Sequence, residues 1–357
     1  MTTISLCMIV KNEEKILERC LASIYDLVDE IIIVDTGSTD NTKESAYKFN
    51  AKVFDFEWCD DFSAARNFSF SKAEKEYILW LDADDILLEE DREKLRDLKK
   101  TIDNSVDSVS MIYNYAFDKD GNVILSFRRN RLVKRINNFK WHSAVHEYLE
   151  VSGKVMDSDI CITHKREKLS GDRNLKIYQS RLEKGEEFSS REIYYYANEL
   201  YDHKLYEEAV KYYKKFLQSK DGWYEDKIAA CAKGSDCCYF IKAIDKAKEY
   251  CFKSFQYDTP RAELCCKLGL YFFTEKKFNQ AIFWYDLATK LKKPDNSWGF
   301  LDDTCWTWLP HVQLCVCYYK LGNNKLAYEH NEIARNYNSN NKYILHNKRY
   351  FEQLGYK

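Results

Sequence analysis

The stretch Tyr77-Ile78-Leu79-Trp80-Leu81-Asp82-Ala83-Asp84-Asp85 is an apolar run that stops abruptly in carboxylates. A run of this length bounded by charge reads as a buried central strand of a parallel sheet. Open α/β sheets bind their ligands beyond the carboxyl ends of the strands, which is where Asp82, Asp84 and Asp85 fall. Asp82 and Asp84 are two residues apart, so on an extended chain their side chains point the same way. Two carboxylates on one face require a cation. A hard divalent ion, Mn²⁺ or Mg²⁺, suits them and usually shares its sphere with substrate phosphates. The competing interpretation is a strand end followed by an acidic helix cap, with Asp85 or a neighbour capping a helix over 87–100.

On the N-terminal side, strand and helix signals alternate. Residues 3–10 read as a first strand, followed by an amphipathic helix with Ile16, Leu17, Cys20, Leu21 and Ile24 on one face. Residues 30–34 form a second buried strand that ends at Asp35-Thr36-Gly37-Ser38-Thr39-Asp40. Gly37 permits a sharp turn, and Ser38 or Thr39 is placed to cap a helix over 41–49. Residues 52–56 make a third short strand. Phe62-Ser63-Ala64-Ala65-Arg66-Asn67 then starts a helix leading into the acidic strand. The alternation predicts a three-layer α/β domain on a parallel sheet. The first βα turn lacks GxGxxG, so the dinucleotide-binding fingerprint is absent.

At 357 residues the chain is long enough for two domains. A net charge of −2 argues against bulk nucleic-acid binding. Only 3 Pro and 11 Gly occur, which argues against long disordered linkers. Met1-Thr2-Thr3-Ile4-Ser5-Leu6 is not a basic region followed by an apolar core, so no signal peptide is read. No stretch reaches the ~18 apolar residues of a membrane span. A cytoplasmic protein without a transmembrane segment is expected. The 13 cysteines are odd in number and form no CxxC. Cys237-Cys238 and Cys265-Cys266 are adjacent, and Cys315 and Cys317 lie two apart, so none has zinc-ligand spacing. They read as reduced and mostly buried small residues.

Four motifs stand in order: Met8-Ile9-Val10-Lys11-Asn12-Glu13, Val34-Asp35-Thr36-Gly37-Ser38-Thr39-Asp40, Ala65-Arg66-Asn67 and Leu81-Asp82-Ala83-Asp84-Asp85. Together, at these spacings, they resemble family 2 glycosyltransferases of the GT-A fold over about residues 3–170. The resemblance implies a catalytic α/β domain over 1–168 with a Rossmann-like, mixed but mostly parallel sheet. It implies that Asp35 hydrogen-bonds the uracil or ribose of a UDP-sugar donor, a role open to a carboxylate at a strand end. Turn formation is the plainer role for Asp35, and Asp40 reads as a helix cap. Arg66 would face the nucleotide or diphosphate, where a planar guanidinium suits phosphate oxygens. A surface ion pair is the alternative. Val10, Asn12 and Glu13 of the first motif are expected at the nucleotide-sugar. Asp82 and Asp84 would form the DxD-type metal site, with Asp84 the direct ligand and Asp82 on the metal or the ribose.

Beyond the acidic strand, residues 108–115 alternate like a half-buried strand, 118–122 make a hairpin turn, and 123–127 return. Arg128-Arg129-Asn130-Arg131 and Lys134-Arg135 form a basic run. A solvated face is its ordinary explanation, and contact with donor phosphates or an acidic acceptor its functional one. The segment from Phe139 to Leu149 contains His146-Glu147, which resembles the part of the family that supplies the catalytic base. Inverting transfer needs a carboxylate to deprotonate the acceptor, and Glu147 is expected to be that base. On a strand, His146 and Glu147 face opposite ways, so His146 orients the loop, or the roles are exchanged. An ordinary hydrogen-bonded His–Glu pair is the structural alternative. Residues 159–165 read as a last strand carrying His164, similar to the late His that completes the metal sphere in this family; imidazole tolerates Mn²⁺. Ser170-Gly171-Asp172-Arg173-Asn174 reads as a flexible lid, within a linker and connecting helix over 169–189.

From residue 190 to 357 the pattern changes to continuous helical periodicity. Ala209, Ala247, Ala281 and Ala327 mark a repeat with spacings of 38, 34 and 46 residues. A 34-residue helix-turn-helix unit has the tetratricopeptide length. Leu268-Gly269 and Phe272 sit where the first helix of such a unit carries them, and an insertion over 293–308 accounts for the longest spacing. An all-α, tetratricopeptide-like repeat domain is therefore expected, with most of its Tyr and Phe in its own core. Such arrays present a concave surface to peptides or proteins, which here means a polypeptide acceptor, a partner, or a second copy of the chain in a homodimer. The layout resembles S-glycosyltransferases that modify bacteriocin peptides on cysteine. The chain is thus expected to be a metal-dependent inverting glycosyltransferase. It would move a hexose or N-acetylhexosamine from a UDP-sugar to a peptide or protein (Cys, Ser or Thr) or a glycan. An inactive scaffold for protein binding and a surface-polysaccharide transferase are the alternatives.

Overall fold

A computed structural model of the chain describes residues 1–117, 121, 123–165, 171–294 and 302–356. It divides into two compact units, Met1–Ile177 and Tyr178–Lys357. The boundary falls inside the connecting segment read at 169–189.

In the first unit, β1 (Ile4–Val10), α1 (Glu14–Ala22), β2 (Glu30–Asp35), α2 (Thr42–Tyr47), β3 (Lys52–Asp55), α3 (Phe62–Ser71) and β4 (Tyr77–Trp80) alternate as the periodicity predicts. Two residues of β5 (Asp85–Ile86) precede α4 (Glu89–Thr101). Then come β6 (Ser108–Phe117), β7 (Val123–Lys134), β8 (Lys140–His142), β9 (Tyr148–Glu150) and β10 (Val155–His164). Among the described residues the main sheet runs β3-β2-β1-β4-β7-β6-β10-β5. β1 through β4 are mutually parallel, while β7 enters antiparallel to both β4 and β6. A mixed, mostly parallel sheet results.

β2 and β4 are buried along their whole length, which is why their sequences are unbroken apolar runs. The apolar stripe of α1 packs Ile16, Leu17, Cys20 and Leu21 into the same core as Leu6, Met8 and Leu79. Ile24 joins that core from beyond the helix end. The helix after the second strand is not capped by Ser38 or Thr39. Asn41 occupies the N-cap position without a side-chain cap bond, and Asp40, one residue before it, accepts from the Thr42 N–H at 3.1 Å. Ser38 instead accepts from the Asn12 N–H at 2.9 Å. The turn expected at 118–122 lies outside the described residues except for Gly121, as does Ser170 of the expected lid. Arg173 and Asn174 open α5 (Arg173–Glu183) instead of a loop.

The second unit is built of helical hairpins. α6 (Ser190–Asp202) pairs with α7 (Tyr206–Gln218), α8 (Tyr224–Phe240) with α9 (Ile244–Ser254), and α10 (Ala262–Thr274) with α11 (Phe278–Lys290). α12 (Trp308–Lys320) pairs with α13 (Asn324–Tyr337), and α14 (Lys342–Gln353) packs on α13. Each hairpin closes through the same device. The first helix ends in a left-handed residue, in turn Lys204, Lys242, Lys276 and Gly322, with φ between 60° and 77°. The next N–H then reaches back five residues, as in Leu205 to Leu200 and Asn323 to Tyr318, at 2.8–2.9 Å. This is a Schellman closure, which satisfies carbonyls left open at a helix end. The marker residues Ala209, Ala247, Ala281 and Ala327 are all fully buried, one in the second helix of each hairpin. Residues 295–301 of the insertion lie outside the described residues.

Two glycines show why the repeat is tight. A Cβ on Gly234 would stand 2.7 Å from the Tyr250 ring, and one on Gly269 the same distance from the Tyr285 ring. In these two hairpins the tyrosine ring of the second helix packs against the glycine of the first. Overpacking a core costs about 1–3 kcal/mol, so Gly269→Ala should lower the thermal midpoint by several degrees. Gly171→Ala, where a Cβ meets nothing within 4 Å, should leave it unchanged. Equal midpoints for the two variants would contradict this packing.

His311 of α12 and His330 of α13 face each other with Nδ1 atoms 3.0 Å apart. Burial, and then the neighbouring imidazole, push His311 down to about 4, and burial lowers His330. A folded-state value below the ordinary ~6.5 means that the pair stabilises the fold above that pH. The contribution is lost as pH falls through the lowered values. The thermal midpoint should therefore fall between pH 6.5 and 5 more steeply in the native chain than in a His311→Gln/His330→Gln chain. Parallel curves would refute it.

Candidate active site

The sheet delivers three neighbouring carboxylates to one turn. β4 stops at Trp80, and residues 82–85 fold into a turn in which the Asp85 N–H donates to the Asp82 carbonyl at 3.0 Å. Asp82 and Asp84 are therefore not on an extended strand, and the expectation that they share one face for that reason does not hold. Each acid has a different nearest cation, and His164 Nδ1 also stands 3.6 Å from Asp85 Oδ1. Asp82 Oδ1 accepts from Arg66 Nη2 at 2.7 Å. Asp84 Oδ1 stands 3.5 Å from His164 Nδ1. Asp85 Oδ2 forms an ion pair with Arg131 Nη1 at 3.0 Å. Asp85 does not cap the following helix; Leu88 occupies the N-cap position of α4, without a side-chain cap bond. Asp85 is instead a strand residue, and β5 pairs antiparallel with β10 so that Asp85 lies opposite His164.

His164 thus ends β10 where the acidic turn begins. Ligand-capable atoms of Asp84, Asp85 and His164 lie within 4.8 Å of one another. This group shares Asp84 and His164 with the expected metal set but holds Asp85 in place of Asp82. Burial alone would lower the His164 pKa, but the carboxylates of Asp84 and Asp85 outweigh it and raise it to about 9. Tyr115 stacks on the imidazole at 5.0 Å and 8°.

The basic run expected to be solvated is largely part of β7. Arg131 is fully buried with Asp85, its guanidinium lying 3.9 Å from the Trp80 ring and 4.5 Å from that of Tyr113. Arg129 lies over the Phe127 and Tyr113 rings at 5.2 and 5.5 Å. Arg129 and Arg131 both reach the Trp80 and Tyr113 rings although the β6–β7 register shifts at Arg131.

Arg66 joins the acidic turn to the base candidate. Its Nε donates to Glu147 Oε1 at 2.7 Å while Nη2 holds Asp82. The guanidinium lies between the rings of Trp80 and Trp141, 5.1 and 4.8 Å from their centroids. Its hydrogen bonds thus go to carboxylates inside the fold, and its surface-pair alternative fails because it is 8% exposed. Burial opposes the charge of Asp82, but Arg66, with Arg131 behind it, lowers its pKa below the usual carboxylate range. The neighbouring Asn67 clamps β8: its Nδ2 donates to the Trp141 carbonyl and its Oδ1 accepts the Trp141 N–H, both at 2.9 Å. His146 and Glu147 lie in the bend between β8 and β9, not on a strand, and His146 has φ 53°. The alternation argument for their opposite facing therefore lapses. Arg173, at the start of α5, covers the Phe62 ring at 4.6 Å and feels the charges of Glu147 and Glu13.

Asp35 ends β2, buried to 1% exposure. Its Oδ2 accepts the N–H groups of Gly37 and Ser38 at 3.2 and 2.9 Å, which is the turn-forming role. Its Oδ1 is buried without a hydrogen-bond partner. The first motif braces this loop. The Val10 carbonyl accepts the N–H and hydroxyl of Thr36 at 3.0 and 3.1 Å. Asn12 Oδ1 accepts the Thr39 N–H at 2.8 Å, and the Glu13 N–H donates to Thr42 Oγ1 at 2.8 Å.

Residues 5–150 match the family model described as Glycosyl transferase family 2. The chain is 34% identical over 149 residues to the SPbeta prophage-derived glycosyltransferase SunS of Bacillus subtilis, covering 41% of this chain and 34% of that protein. It is 50% identical over 96 residues to a TPR repeat-containing protein of Synechococcus elongatus, covering 27% of this chain and 24% of the relative. The chain therefore spans a quarter to a third of the length of these relatives. A crystal structure of glucosyl-3-phosphoglycerate synthase from Mycobacterium tuberculosis, in complex with Mn²⁺, UDP and phosphoglyceric acid, aligns at 25% identity with a TM-score of 0.28, over 31% of this chain and 43% of that one. Residues 5–150 of the first unit are thus similar to family 2 glycosyl transferases, and the paired helices of the second unit follow them.

Removing one partner of a buried ion pair costs about 3–5 kcal/mol because the other charge is left unpaired. Asp82 is a third exposed, so Arg66→Ala should cost toward the lower end of that range, read by urea denaturation. A loss under ~1 kcal/mol would mean that Arg66 behaves as an ordinary surface pair.

Proposed function

We propose that this chain is a metal-dependent inverting glycosyltransferase that moves a hexose or N-acetylhexosamine from a UDP-sugar to a peptide, protein or glycan acceptor. The observation that carries this is the unequal pairing of the three acids. Asp82 and Asp85 are matched by guanidiniums, which have no lone pair to offer a metal. Asp84 is matched by an imidazole, itself a common metal ligand. A divalent ion therefore has one natural place, at Asp84 and His164. Mn²⁺ or Mg²⁺ held there would neutralise charge developing on the leaving diphosphate.

The protein residues divide the remaining work. Asp35 Oδ1 is a buried acceptor in need of a donor, and leaving such an atom unsatisfied costs about 1–3 kcal/mol. A uracil imide N–H or a ribose hydroxyl supplies that donor. Val10, Asn12 and Glu13 shape the loop that presents it. Arg66 holds Asp82 and Glu147 on one guanidinium, so the carboxylate assigned as base stands one side chain from the acidic turn. Glu147 takes the proton from the acceptor as it attacks the anomeric carbon. His146, in its left-handed conformation, sets the bend that presents Glu147.

The helical unit supports a polypeptide acceptor. An open surface depression of about 460 Å³ is lined by Tyr239, Phe240, Lys242, Ile244, Thr274 and Glu275. Aromatic walls with one cation and one anion suit a peptide side chain flanked by backbone amides. No helix among the described residues is long and apolar enough to cross a membrane.

A UDP-sugar panel read by UDP release should show Mn²⁺-stimulated turnover that Asp84→Asn abolishes. Glu147→Gln should still bind UDP but lose transfer. Turnover retained in Asp84→Asn would remove the metal assignment, and normal transfer by Glu147→Gln would remove the base.

A further inference from the structure

The basic run of β7 and the turn after it leaves one cation over. Arg128 donates to the Ser158 carbonyl at 2.9 Å, and Arg131 is paired with Asp85. Lys134 donates to the Asn104 carbonyl, and Arg135 to the Lys75 carbonyl at 2.6 Å. Arg129 makes no hydrogen bond or ion pair to any described residue. Its neighbours are rings: the guanidinium lies 5.2 Å from that of Phe127, 5.5 Å from that of Tyr113 and 6.0 Å from that of Trp80. The acids beside it are engaged elsewhere. Asp82 Oδ1 is held by Arg66, and Asp85 by Arg131 and the Tyr113 hydroxyl. Burial, and then the charge of Arg131, lower the Arg129 pKa, with Asp82 the leading opposing charge. Arginine keeps its proton even so. A half-buried cation with five N–H donors and no protein acceptor therefore stands next to the acidic turn.

The place of this cation selects its ligand. Arg129 and His164 pack on the same ring, that of Tyr113, at 5.5 and 5.7 Å. The guanidinium is therefore on the side of the turn where the divalent ion is assigned. Arg173, by contrast, feels Glu147 before Glu13 and belongs to the side of the base. Arg66, which the resemblance expects at the diphosphate, is already bonded to Asp82 and Glu147. We propose that Arg129 binds the diphosphate of the nucleotide donor directly, as a fixed cation alongside the exchangeable metal. A planar guanidinium can meet two phosphate oxygens at once, and the rings beneath Arg129 hold its plane. Charge developing on the leaving group is then met from two directions. The chain should consequently keep part of its grip on a diphosphate when no metal is supplied.

The inference rests on the nucleotide-sugar reading, and the two fail differently. UDP and uridine differ only in the diphosphate, so their affinities for the full chain are compared in EDTA. The native chain should bind UDP about 10- to 100-fold more tightly than uridine, the range that hydrogen bonds to a charged group supply. Arg129→Gln should remove that preference and leave uridine affinity unchanged. Equal UDP and uridine affinity in the native chain, or an undiminished preference in Arg129→Gln, would overturn the role of Arg129 and leave the donor reading standing. An equal loss of both ligands in Arg129→Gln would mark a merely structural side chain and overturn it as well. A native chain that binds neither ligand, with or without Mn²⁺, would overturn both readings. The comparison in the native chain needs no variant, so the proposal can fail even where Arg129→Gln folds poorly.

Discussion

Three carboxylates within four residues repel one another, and this is the constraint around which the first unit is arranged. At about 4 Å and an effective dielectric near 20, each unscreened pair would cost about 4 kcal/mol. The fold supplies a separate cation for each acid from three different elements: Arg66 from α3, His164 from β10 and Arg131 from β7. The sheet order follows the same need. β7 must lie beside β4 to bring Arg131 beneath the turn, and β10 must lie beside β5 to set His164 against Asp85. Two of the three cations are guanidiniums sealed by aromatic rings. The third is an imidazole whose side chain keeps some exposure, as does that of Asp84. Asp84 is thus the acid whose nearest partner can itself bind a metal.

The second unit obeys a different rule, in which small residues permit large ones. Gly234 and Gly269 let Tyr250 and Tyr285 lie against the preceding helix, and the buried alanines let successive helices approach. Polar tyrosine then needs partners, and the core supplies some. Tyr271 reaches the Ser235 hydroxyl at 2.8 Å, and Tyr213 donates to Asn198 at 2.8 Å. The cysteines follow the packing logic: nearly all of the 13 are buried and free of disulfides.

Much of this was legible in the sequence, because local periodicity reports burial directly. The runs of β2 and β4, the stripe of α1 and the alanine period all read correctly. What escaped depends on partners distant in the chain. Arg131 looked like part of a solvated basic run, since a charge is placed inside only when a specific counter-charge waits there. Its partner, Asp85, is 46 residues away (131 − 85). Tyr113 looks like one residue of an alternating strand, and its hydroxyl meets Asp85 and His164 only through the β6–β10 and β5–β10 pairing. Asp82 and Asp84 were placed on an extended segment because strand continuation was assumed. The turn that separates them is dictated by the Asp85 anchor, not by turn-forming residues. The bend carrying His146 and Glu147 escaped for the same reason, since Asn67 and Arg66 hold it from another helix.

The central claim is that only one of the three acids exchanges its protein cation for a metal. A crystal grown with Mn²⁺ and UDP, measured at the manganese absorption edge, tests it most directly. The account predicts one anomalous peak within bonding distance of Asp84 and His164, with the Arg66–Asp82 and Arg131–Asp85 pairs intact. A peak bound by Asp82 or Asp85, with either guanidinium displaced, would contradict it.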